Sequence, residues 1–238
     1  MGIDHYREYF SKFKTDTIES PKLAEPNRDY SVTTVIVGWH EWDNYTGPLI
    51  ESIKRTNPQI NILVVDNGSE PPYPQVDGAT IIRSEENLGL AGGTNFGWQH
   101  APESDWYIIL NNDVLFHKPI ADRVSYLCPD TMYGFFMRPA LPDQFDWAYL
   151  SMWCLFIPHA IYKAVGDFDA SLFPMYWEDA DYSKRVADTG FRLGLEAREE
   201  WGIEHLMDER KQQRVDYFNK NYEHIVKLRD YVRAKYAG

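Results

Sequence analysis

The sequence predicts an α/β fold in which a mostly parallel central sheet is flanked by helices and followed by a smaller mixed region. From residue 31 to residue 110, short apolar or β-branched runs alternate with segments of helical character. Strands and helices that alternate at this spacing are typical of doubly wound parallel sheets, because a parallel neighbour requires a crossover connection. Polar turn residues directly follow the second and fourth runs, and beyond Asp113 the alternation becomes irregular.

The individual elements follow from local patterns. The first strand, 32–37, is a β-branched run of the kind that is buried on both faces of a sheet. Further strands are predicted at 60–65, 80–83, 106–110, 133–138, 152–157 and 191–195. Helices are predicted at 49–56, 90–100, 158–165 and 179–189. Pro158 suits the start of the third helix, and Gly190 ends the fourth.

The pattern divides the chain into one domain with two appendages. Residues 1–30 are predicted to form a helical appendage, since apolar residues recur at helical spacing until prolines break the pattern. Residues 31–206 form the main domain, and residues 207–238 are predicted as an amphipathic helix packed on it. The segment 210–236 holds 8 Lys and Arg against 3 Asp and Glu, so peripheral membrane or partner contact is the alternative.

Composition narrows the range of partners. A chain of 238 residues with 44% apolar and 15% aromatic residues is long and apolar enough to bury a sizeable core. The net charge of −12 disfavours nucleic acid, which is bound by neutralising phosphates. Cys128 and Cys154 form no close pair, so a reducing compartment is expected. We expect a cytoplasmic protein without a signal peptide or a transmembrane segment, because no apolar run approaches the ~20 residues of a membrane span.

A glycine-rich segment, 87–97, precedes the fourth strand and begins the second helix. Glycines allow close approach to a ligand, and a helix N-terminus favours a diphosphate. The alternative is that Gly92, Gly93 and Gly97 only permit tight packing of the helix on the sheet. The segment matches neither a P-loop nor a dinucleotide-binding motif.

Two aspartates follow strands and are predicted to face one crevice, because ligands of such sheets lie beyond the carboxyl ends of the strands. Asp66 begins a turn and either stabilises that turn or accepts hydrogen bonds from a nucleotide. Asp113 follows Asn111 and Asn112, and it either forms a strand-ending turn or binds a hard divalent cation that bridges to phosphate oxygens.

A second acidic cluster, Glu178-Asp179-Ala180-Asp181, begins the predicted helix 179–189. Acidic groups are favoured at a helix N-terminus, and Asp181 forms an i,i+4 pair with Arg185, so capping explains part of the cluster. Because the cluster follows an aromatic stretch, Asp179 is also a candidate for a desolvated general base. His205 is an isolated histidine near a predicted strand end, for which a structural role is the alternative to ligand binding.

Five motifs in a fixed order resemble those of family 2 glycosyltransferases. They are Val65-Asp66-Asn67-Gly68-Ser69, Asn87-Leu88-Gly89 with Ala91-Gly92-Gly93-Thr94-Asn95, Leu110-Asn111-Asn112-Asp113, Gly166-Asp167-Phe168-Asp169, and Trp177-Glu178-Asp179-Ala180-Asp181 through Arg185. The similarity spans residues 31–206 and is greatest to the rhamnosyl- and galactofuranosyl-transferase-like branch with the GT-A fold. Each motif alone is weak, whereas the ordered set is specific.

The resemblance implies an inverting transfer of a sugar from a nucleoside-diphosphate donor, with UDP as the expected nucleotide, to a hydroxyl of a carbohydrate or another acceptor. It further implies assistance by Mn²⁺ or Mg²⁺. Asp113 matches the last Asp of the D-x-D metal motif, and His205 matches a downstream histidine that completes metal coordination. Asp179 matches the base that deprotonates the acceptor, with Glu178 beside it in the catalytic pair.

The resemblance also implies the remaining contacts. Acceptor binding is expected from Trp177, which matches a residue that shapes the acceptor site; Trp153 is added because the segment 140–177 is rich in aromatic residues. The nucleotide-sugar pocket is expected to involve Gly38, Trp39, Asp66, Asn67, Asn87, Gly89, Gly93, Asn95, Asn111, Asn112 and Asp113.

Two positions depart from the family pattern. Asn111 stands where many members have the first Asp of the metal motif, so weaker metal binding is expected. Gly38-Trp39-His40 ends the first strand where the family often has a small residue, Tyr and Asn. The same tripeptide argues against a sugar nucleotidyltransferase, which carries a glycine-rich phosphate loop with Arg there. A non-catalytic nucleotide-sugar or carbohydrate-binding relative is the other alternative, although binding alone requires no proton acceptor at Asp179.

Overall fold

The computed structural model describes residues 22–23, 25–26, 29–141, 143–206 and 211–237. The helical appendage predicted at 1–30 falls almost entirely outside these residues. Within the described part of the chain, no helix combines the length and the apolar character needed to span a membrane.

The central element is a seven-stranded sheet with the strand order β10-β6-β9-β4-β1-β2-β3. Strands β1 to β4 pair in parallel, whereas β9 is antiparallel to both of its neighbours. Two small antiparallel sheets, β5 with β11 and β7 with β8, accompany it. The strands are β1 (Val32–Gly38), β2 (Asn61–Asn67), β3 (Thr80–Ser84), β4 (Trp106–Asn111), β5 (Val114–Phe116), β6 (Thr131–Gly134), β7 (Met137–Arg138), β8 (Tyr149–Leu150), β9 (Cys154–Pro158), β10 (Arg192–Leu195) and β11 (Ile203–His205).

Helices cover the sheet and follow the strands in the predicted alternation. They are α1 (Gly47–Thr56), α2 (Gly89–His100), α3 (Ala121–Val124), α4 (His159–Val165), α5 (Glu178–Asp188), α6 (Arg198–Trp201), α7 (Lys211–Lys220) and α8 (Tyr222–Lys235). A π-helical turn, Trp42–Thr46, precedes α1. The mixed α/β class with a large, mostly parallel sheet is therefore confirmed.

Both faces of the sheet are buried, which explains why β1 is apolar or β-branched almost throughout. Successive side chains of a strand point to opposite faces, so Ile36 belongs to one hydrophobic cluster and Val35 to the other. Helix α2 lies close to the second face: a Cβ on Gly97 would come within 2.5 Å of Val35 Cγ1. Tight packing of the helix on the sheet therefore requires glycine at this position.

Two predicted elements are each divided. The strand predicted at 133–138 becomes β6 and β7, because the chain changes partner: Gly134 pairs with Leu155 of β9, and Met137 pairs with Leu150 of β8. The helical stripe at 210–236 is interrupted at Asn221, which leaves helical geometry and whose side-chain amide donates to the carbonyl of Tyr217 at 2.8 Å. Asparagine competes for backbone groups in this way and so favours helix ends.

Helix α8 has an apolar face toward the domain. Ile225, Leu228 and Val232 are buried, and Leu228 and Val232 share a cluster with Phe145 and Leu172. The residues between them are exposed or half-buried. The contacts of α8 thus extend to the segment that immediately precedes α5.

Candidate functional site

Asp113 and His205 lie side by side at the carboxyl end of β4. The pairing of β5 with β11 sets His205 opposite Val114, and the backbone N–H of Leu206 donates to the carbonyl of Asp113 at 2.9 Å. As a result His205 Nε2 lies 3.3 Å from Asp113 Oδ1. Both side chains are at least 98% buried. Two residues that are far apart in sequence therefore form one buried carboxylate–imidazole pair.

This pair has the donor chemistry of a partial metal site. Carboxylate oxygen and imidazole nitrogen both bind divalent transition-metal ions, and Mg²⁺ or Mn²⁺ commonly completes its shell with water and phosphate oxygens. No group of three or more His, Cys, Asp and Glu side chains suited to a metal occurs among the described residues. Among the described residues, Asp113 and His205 therefore fit an ion whose remaining positions are filled by water and substrate oxygens.

Glu178 and Asp179 begin α5 in an unusual backbone setting. The two preceding residues, Tyr176 and Trp177, both have positive φ, at 89° and 76°. Non-glycine residues rarely adopt this conformation, and it is concentrated at functional sites. Glu178 is 4% exposed, whereas Asp179 is partly exposed. The turn therefore buries Glu178 and leaves Asp179 half-buried.

Burial perturbs both acids. Loss of hydration raises the pKa of Glu178 to about 8, and the neighbouring Asp179 charge adds to this increase. Loss of hydration also raises the pKa of Asp179 to about 6, while Arg138 and the backbone N–H groups of Ala180 and Met152 act in the opposite direction. Burial therefore moves the pKa values of both carboxyl groups toward neutrality, and that of Glu178 further than that of Asp179.

The segment Met152–Trp153 lies between Asp179 and the Asp113–His205 pair. The backbone N–H of Met152 lowers the pKa of Asp179, and the Trp153 indole stacks on the His205 imidazole with ring centroids 4.5 Å apart and planes at 14°. The Trp153 carbonyl also accepts the N–H of Asn111 at 3.0 Å. Two consecutive residues thus connect Asp179 with the Asp113–His205 pair.

Asp66 lies at the same edge of the sheet, since β1 separates β2 from β4 and Gly38 stands opposite Asp66. Its carboxylate is 1% exposed and accepts hydrogen bonds from the N–H groups of Ser69 and Tyr73 and from Arg83 Nη1, at 2.9, 3.0 and 2.6 Å. These bonds hold the pKa of Asp66 below its ordinary value even though burial opposes them. The turn-stabilising interpretation therefore accounts for the contacts of this carboxylate.

Asp66 and Asp113, which were predicted to face one crevice, are both buried at the edge of the sheet. Both lie at the carboxyl ends of the parallel strands, yet each is at least 99% buried. Trp39, which directly follows β1, is exposed at this edge, with 53% of its surface accessible. Gly38 packs under Tyr73, where a Cβ would come within 2.5 Å of the phenol oxygen.

Hydrogen bonds between Asn67, Asn87 and Gly89 order the loop that precedes α2. The Asn67 amide donates to the Gly89 carbonyl at 3.1 Å and to Asn87 Oδ1 at 3.2 Å, and Asn87 Oδ1 also accepts the Gly89 N–H at 2.8 Å. Gly89 has φ +72°, and its neighbour Leu90 donates its N–H to the Pro174 carbonyl at 2.8 Å. The loop before α2 therefore contacts the segment that leads to Glu178.

Three residues predicted to line the nucleotide-sugar pocket make contacts within the protein. A Cβ on Gly93 would come within 2.8 Å of Val37, so this glycine serves helix–sheet packing. Asn95 exchanges two 2.9 Å hydrogen bonds with the backbone of Phe168. Asn112 is buried and donates to Thr46 Oγ1 at 3.1 Å.

The two tryptophans predicted to bind acceptor also have internal contacts. Trp153 is 7% exposed and covers His205, so it supports that ring and presents little surface. Trp177 donates its indole N–H to the Ile225 carbonyl of α8 at 2.9 Å. Trp177 was predicted from the resemblance and Trp153 from the density of aromatic residues, and neither signal gives information on these long-range partners.

The sequence reasoning missed Arg138 and Met152, which act on Asp179, and Lys235 and Tyr236, which bind Asp181. The basic character of residues 210–236 was the available signal for Lys235.

Two surface depressions, of ≈510 and ≈300 Å³, lie away from the predicted site residues. They are lined by Lys22, Pro26, Asp29, Asp122, Arg123, Ser125, Tyr126 and Trp201.

Part of the chain matches a known protein family. Residues 34–123 match the family model described as Glycosyl transferase family 2, which covers less than half of the chain. The match includes Asp66, Asn87 and Asp113 and ends before Asp179. Over these residues the chain is therefore similar to family 2 glycosyltransferases, as the motifs predicted, while the rhamnosyl- and galactofuranosyl-transferase-like branch stays a prediction. No curated protein sequence gave a significant match.

Solved glycosyltransferases share the fold. The mannosyltransferase PcManGT of Pyrobaculum calidifontis, in complex with GDP-Man and Mn²⁺, is 16% identical with a TM-score of 0.55, over 82% of this chain and 61% of that one. GalNAc-T7 with UDP, GalNAc and Mn²⁺ is 13% identical with a TM-score of 0.55, over 74% and 45%. TarS of S. aureus is 14% identical with a TM-score of 0.52, over 70% and 35%. The chain thus covers less than two thirds of each of these proteins.

Proposed function

We propose that this protein is an inverting, metal-dependent glycosyltransferase that moves a sugar from a nucleoside diphosphate, with UDP as the expected nucleotide, to an acceptor hydroxyl. The main support for the proposal is that one short segment links the Asp113–His205 pair with Asp179. The backbone N–H of Met152 favours the ionised form of Asp179, and the next residue, Trp153, stacks on the imidazole beside Asp113. A pair of potential metal ligands and a half-buried carboxylate whose pKa is raised toward neutrality are the groups that such a transfer requires.

Asp113 and His205 would hold Mn²⁺ or Mg²⁺. When bound, such an ion stabilises the negative charge that develops on a departing diphosphate. The solved structures of PcManGT and GalNAc-T7 contain Mn²⁺ together with a nucleotide or nucleotide sugar, which supports the same choice here.

Asp179 would remove the proton of the acceptor hydroxyl as it attacks the sugar. A base works best when its pKa lies near the working pH, because it is then both ionised and basic. The pKa of about 6 and the partial exposure of Asp179 meet this requirement. Glu178, with its pKa raised to about 8, would supply a neutral carboxyl group beside the base.

The donor nucleoside would lie at the ends of β1 and β2. The exposed indole of Trp39 offers an aromatic face on which a nucleobase could stack. The loop that follows Asp66 is hydrogen-bonded to the residue after Trp39, since the His40 N–H donates to Ser69 Oγ at 2.8 Å. In this proposal the buried Asp66 supports the nucleoside site by ordering that loop, and Asn87 and Gly89 order the neighbouring one.

A ligand screen with product detection tests the proposal. The protein is mixed with Mn²⁺ and UDP-glucose, UDP-galactose, UDP-N-acetylglucosamine, dTDP-rhamnose or GDP-mannose, and thermal stability and release of nucleoside diphosphate are recorded. A donor that binds stabilises the fold by mass action, and an enzyme hydrolyses it slowly even without acceptor. Stabilisation without any nucleotide release, with carbohydrate acceptors also present, would instead support the binding-module alternative.

A further inference from the structure

Helix α8 holds the segment before Asp179. The Trp177 indole N–H donates to the Ile225 carbonyl at 2.9 Å, and His224 Nε2 lies 2.8 Å from the Phe173 carbonyl. Both contacts come from the first turn of α8. They reach the segment that carries two successive residues of positive φ, ending at Trp177.

The other end of α8 holds the segment after Asp179. Lys235 Nζ and the Tyr236 hydroxyl both donate to Asp181 Oδ1, at 2.7 and 2.8 Å. The second oxygen of Asp181 accepts Arg185 Nε at 2.9 Å. Asp181 has no solvent exposure, so these bonds form in a poorly hydrated setting where charged partners interact strongly.

Helix α8 contacts the chain on both sides of Asp179 in the sequence. Trp177 and Asp181 each lie two positions from Asp179, and a single helix binds both. Positive φ at non-glycine residues costs free energy and persists only where surrounding contacts enforce it. The contacts of α8 are of the kind that can enforce it, since they fix both flanks of the strained turn.

We propose that α8 positions Asp179 for proton transfer, with Lys235 and Tyr236 as the positioning residues that act through Asp181. The inference rests on the proposed function, because it assigns α8 a part in the same site. Loss of these contacts lets the first turn of α5 move, which misplaces the base relative to the acceptor while leaving the donor site intact.

Three variants test this assignment: Lys235→Met, Tyr236→Phe, which removes only the hydroxyl, and the control Lys227→Met, an exposed lysine of the same helix. The first measurement is amide hydrogen exchange of residues 176–181 in the full chain without substrate. We expect exchange to quicken about tenfold in the two test variants and to stay unchanged in the control.

The second measurement is kcat and KM with a UDP-sugar that the parent protein turns over. Misplacement of a reacting group by a fraction of an ångström should lower kcat about tenfold or more in the test variants, with KM for the donor within about twofold. Lys235→Arg, which keeps a cation, should restore most of the activity. If Lys235→Met does not fold, Tyr236→Phe still decides the question.

Unchanged exchange in both test variants would overturn the proposal, as would faster exchange with unchanged kcat or an equal loss in the Lys227→Met control. The exchange measurement does not need catalysis. If the parent protein turns over no sugar nucleotide, the proposed function fails while the exchange data still show whether α8 holds the segment around Asp179.

Discussion

The indole of Trp153 lies almost parallel to the imidazole of His205, with ring centroids 4.5 Å apart. This stacking fixes the plane of the imidazole, and Nε2 then lies 3.3 Å from Asp113 Oδ1. Groups that orient metal ligands commonly contribute to affinity although they do not touch the ion. Trp153 therefore acts, in our proposal, through His205.

We predict that His205→Ala and Trp153→Leu both weaken metal-dependent donor binding. Removing a ligand or its orienting neighbour should lower the affinity for Mn²⁺ about 10–100-fold. Calorimetric titration of Mn²⁺ into the protein with UDP measures this effect.

The control is His117→Ala. His117 directly follows β5, next to the same two-stranded sheet, but it is half-exposed and its Nε2 lies 2.8 Å from Glu204 Oε2. An equal loss of affinity in this variant would show that the sheet, and not the imidazole of His205, is responsible.

Asp179→Asn should abolish most transfer while retaining donor binding. Loss of a positioned base typically lowers the rate about 10²–10⁴-fold. In the parent protein, kcat should rise with pH through about 6, since Asp179 must lose its proton to act. Steady-state kinetics across pH, together with UDP calorimetry, measure both effects.

Asp188→Asn provides the comparison, because Asp188 lies at the other end of the same helix and its side chain is half-exposed. Comparable kcat in Asp179→Asn and the parent would refute the assignment of the base.

Glu178 should make the protein less stable as pH rises. Its folded pKa is raised from 4.5 to about 8, so the folded state binds more protons than the unfolded state between these values. The free energy of unfolding therefore falls as pH increases through this window, and the contribution is complete only below the unfolded pKa. Thermal unfolding at several pH values should show a falling midpoint in the parent protein.

Glu178→Gln removes the titrating group and should flatten this dependence, so that the variant is the more stable protein near pH 9. The exposed Glu51→Gln serves as the control. A parallel pH dependence in Glu178→Gln and the parent would assign the effect to another group.

The first half of the fold was predictable because its strands are buried on both faces. The strand predicted at 32–37 is observed as Val32–Gly38, and the helix predicted at 90–100 as Gly89–His100. Apolar runs and glycine turns are local signals, so they can be recognised in the sequence without knowing which residues pack against them. The same signals placed Asp66 and Asp113 at one edge of the sheet.

The environment of those residues was not predictable from the sequence. Asp66 binds Arg83, and His205 stacks on Trp153, through contacts that depend on strand register and on loops far apart in the chain. The break at Asn221 follows from a side chain that competes for the Tyr217 carbonyl. Such contacts decide which residues are exposed, and hence which of the predicted site residues are available to a ligand.

Gly89 gives a test of the contact between the loop before α2 and the segment that leads to Asp179. Gly89 and Gly190 have similar positive φ, +72° and +85°, so alanine at either position suffers the same backbone strain of about 1–2 kcal/mol. A Cβ at Gly89 would also come within 2.7 Å of the Pro174 carbonyl oxygen and 2.9 Å of the Phe173 ring, whereas at Gly190 it would meet nothing within 4 Å.

We therefore predict that Gly89→Ala lowers the free energy of unfolding by about 1–3 kcal/mol more than Gly190→Ala, as expected when a clash is added to strain. Urea unfolding of both variants measures this difference. Gly89→Ala should also lower kcat, because relief of the clash displaces the Phe173–Pro174 segment and with it the turn that carries Asp179. Equal destabilisation by the two substitutions would mean that the loop before α2 and this segment are not in close contact in solution.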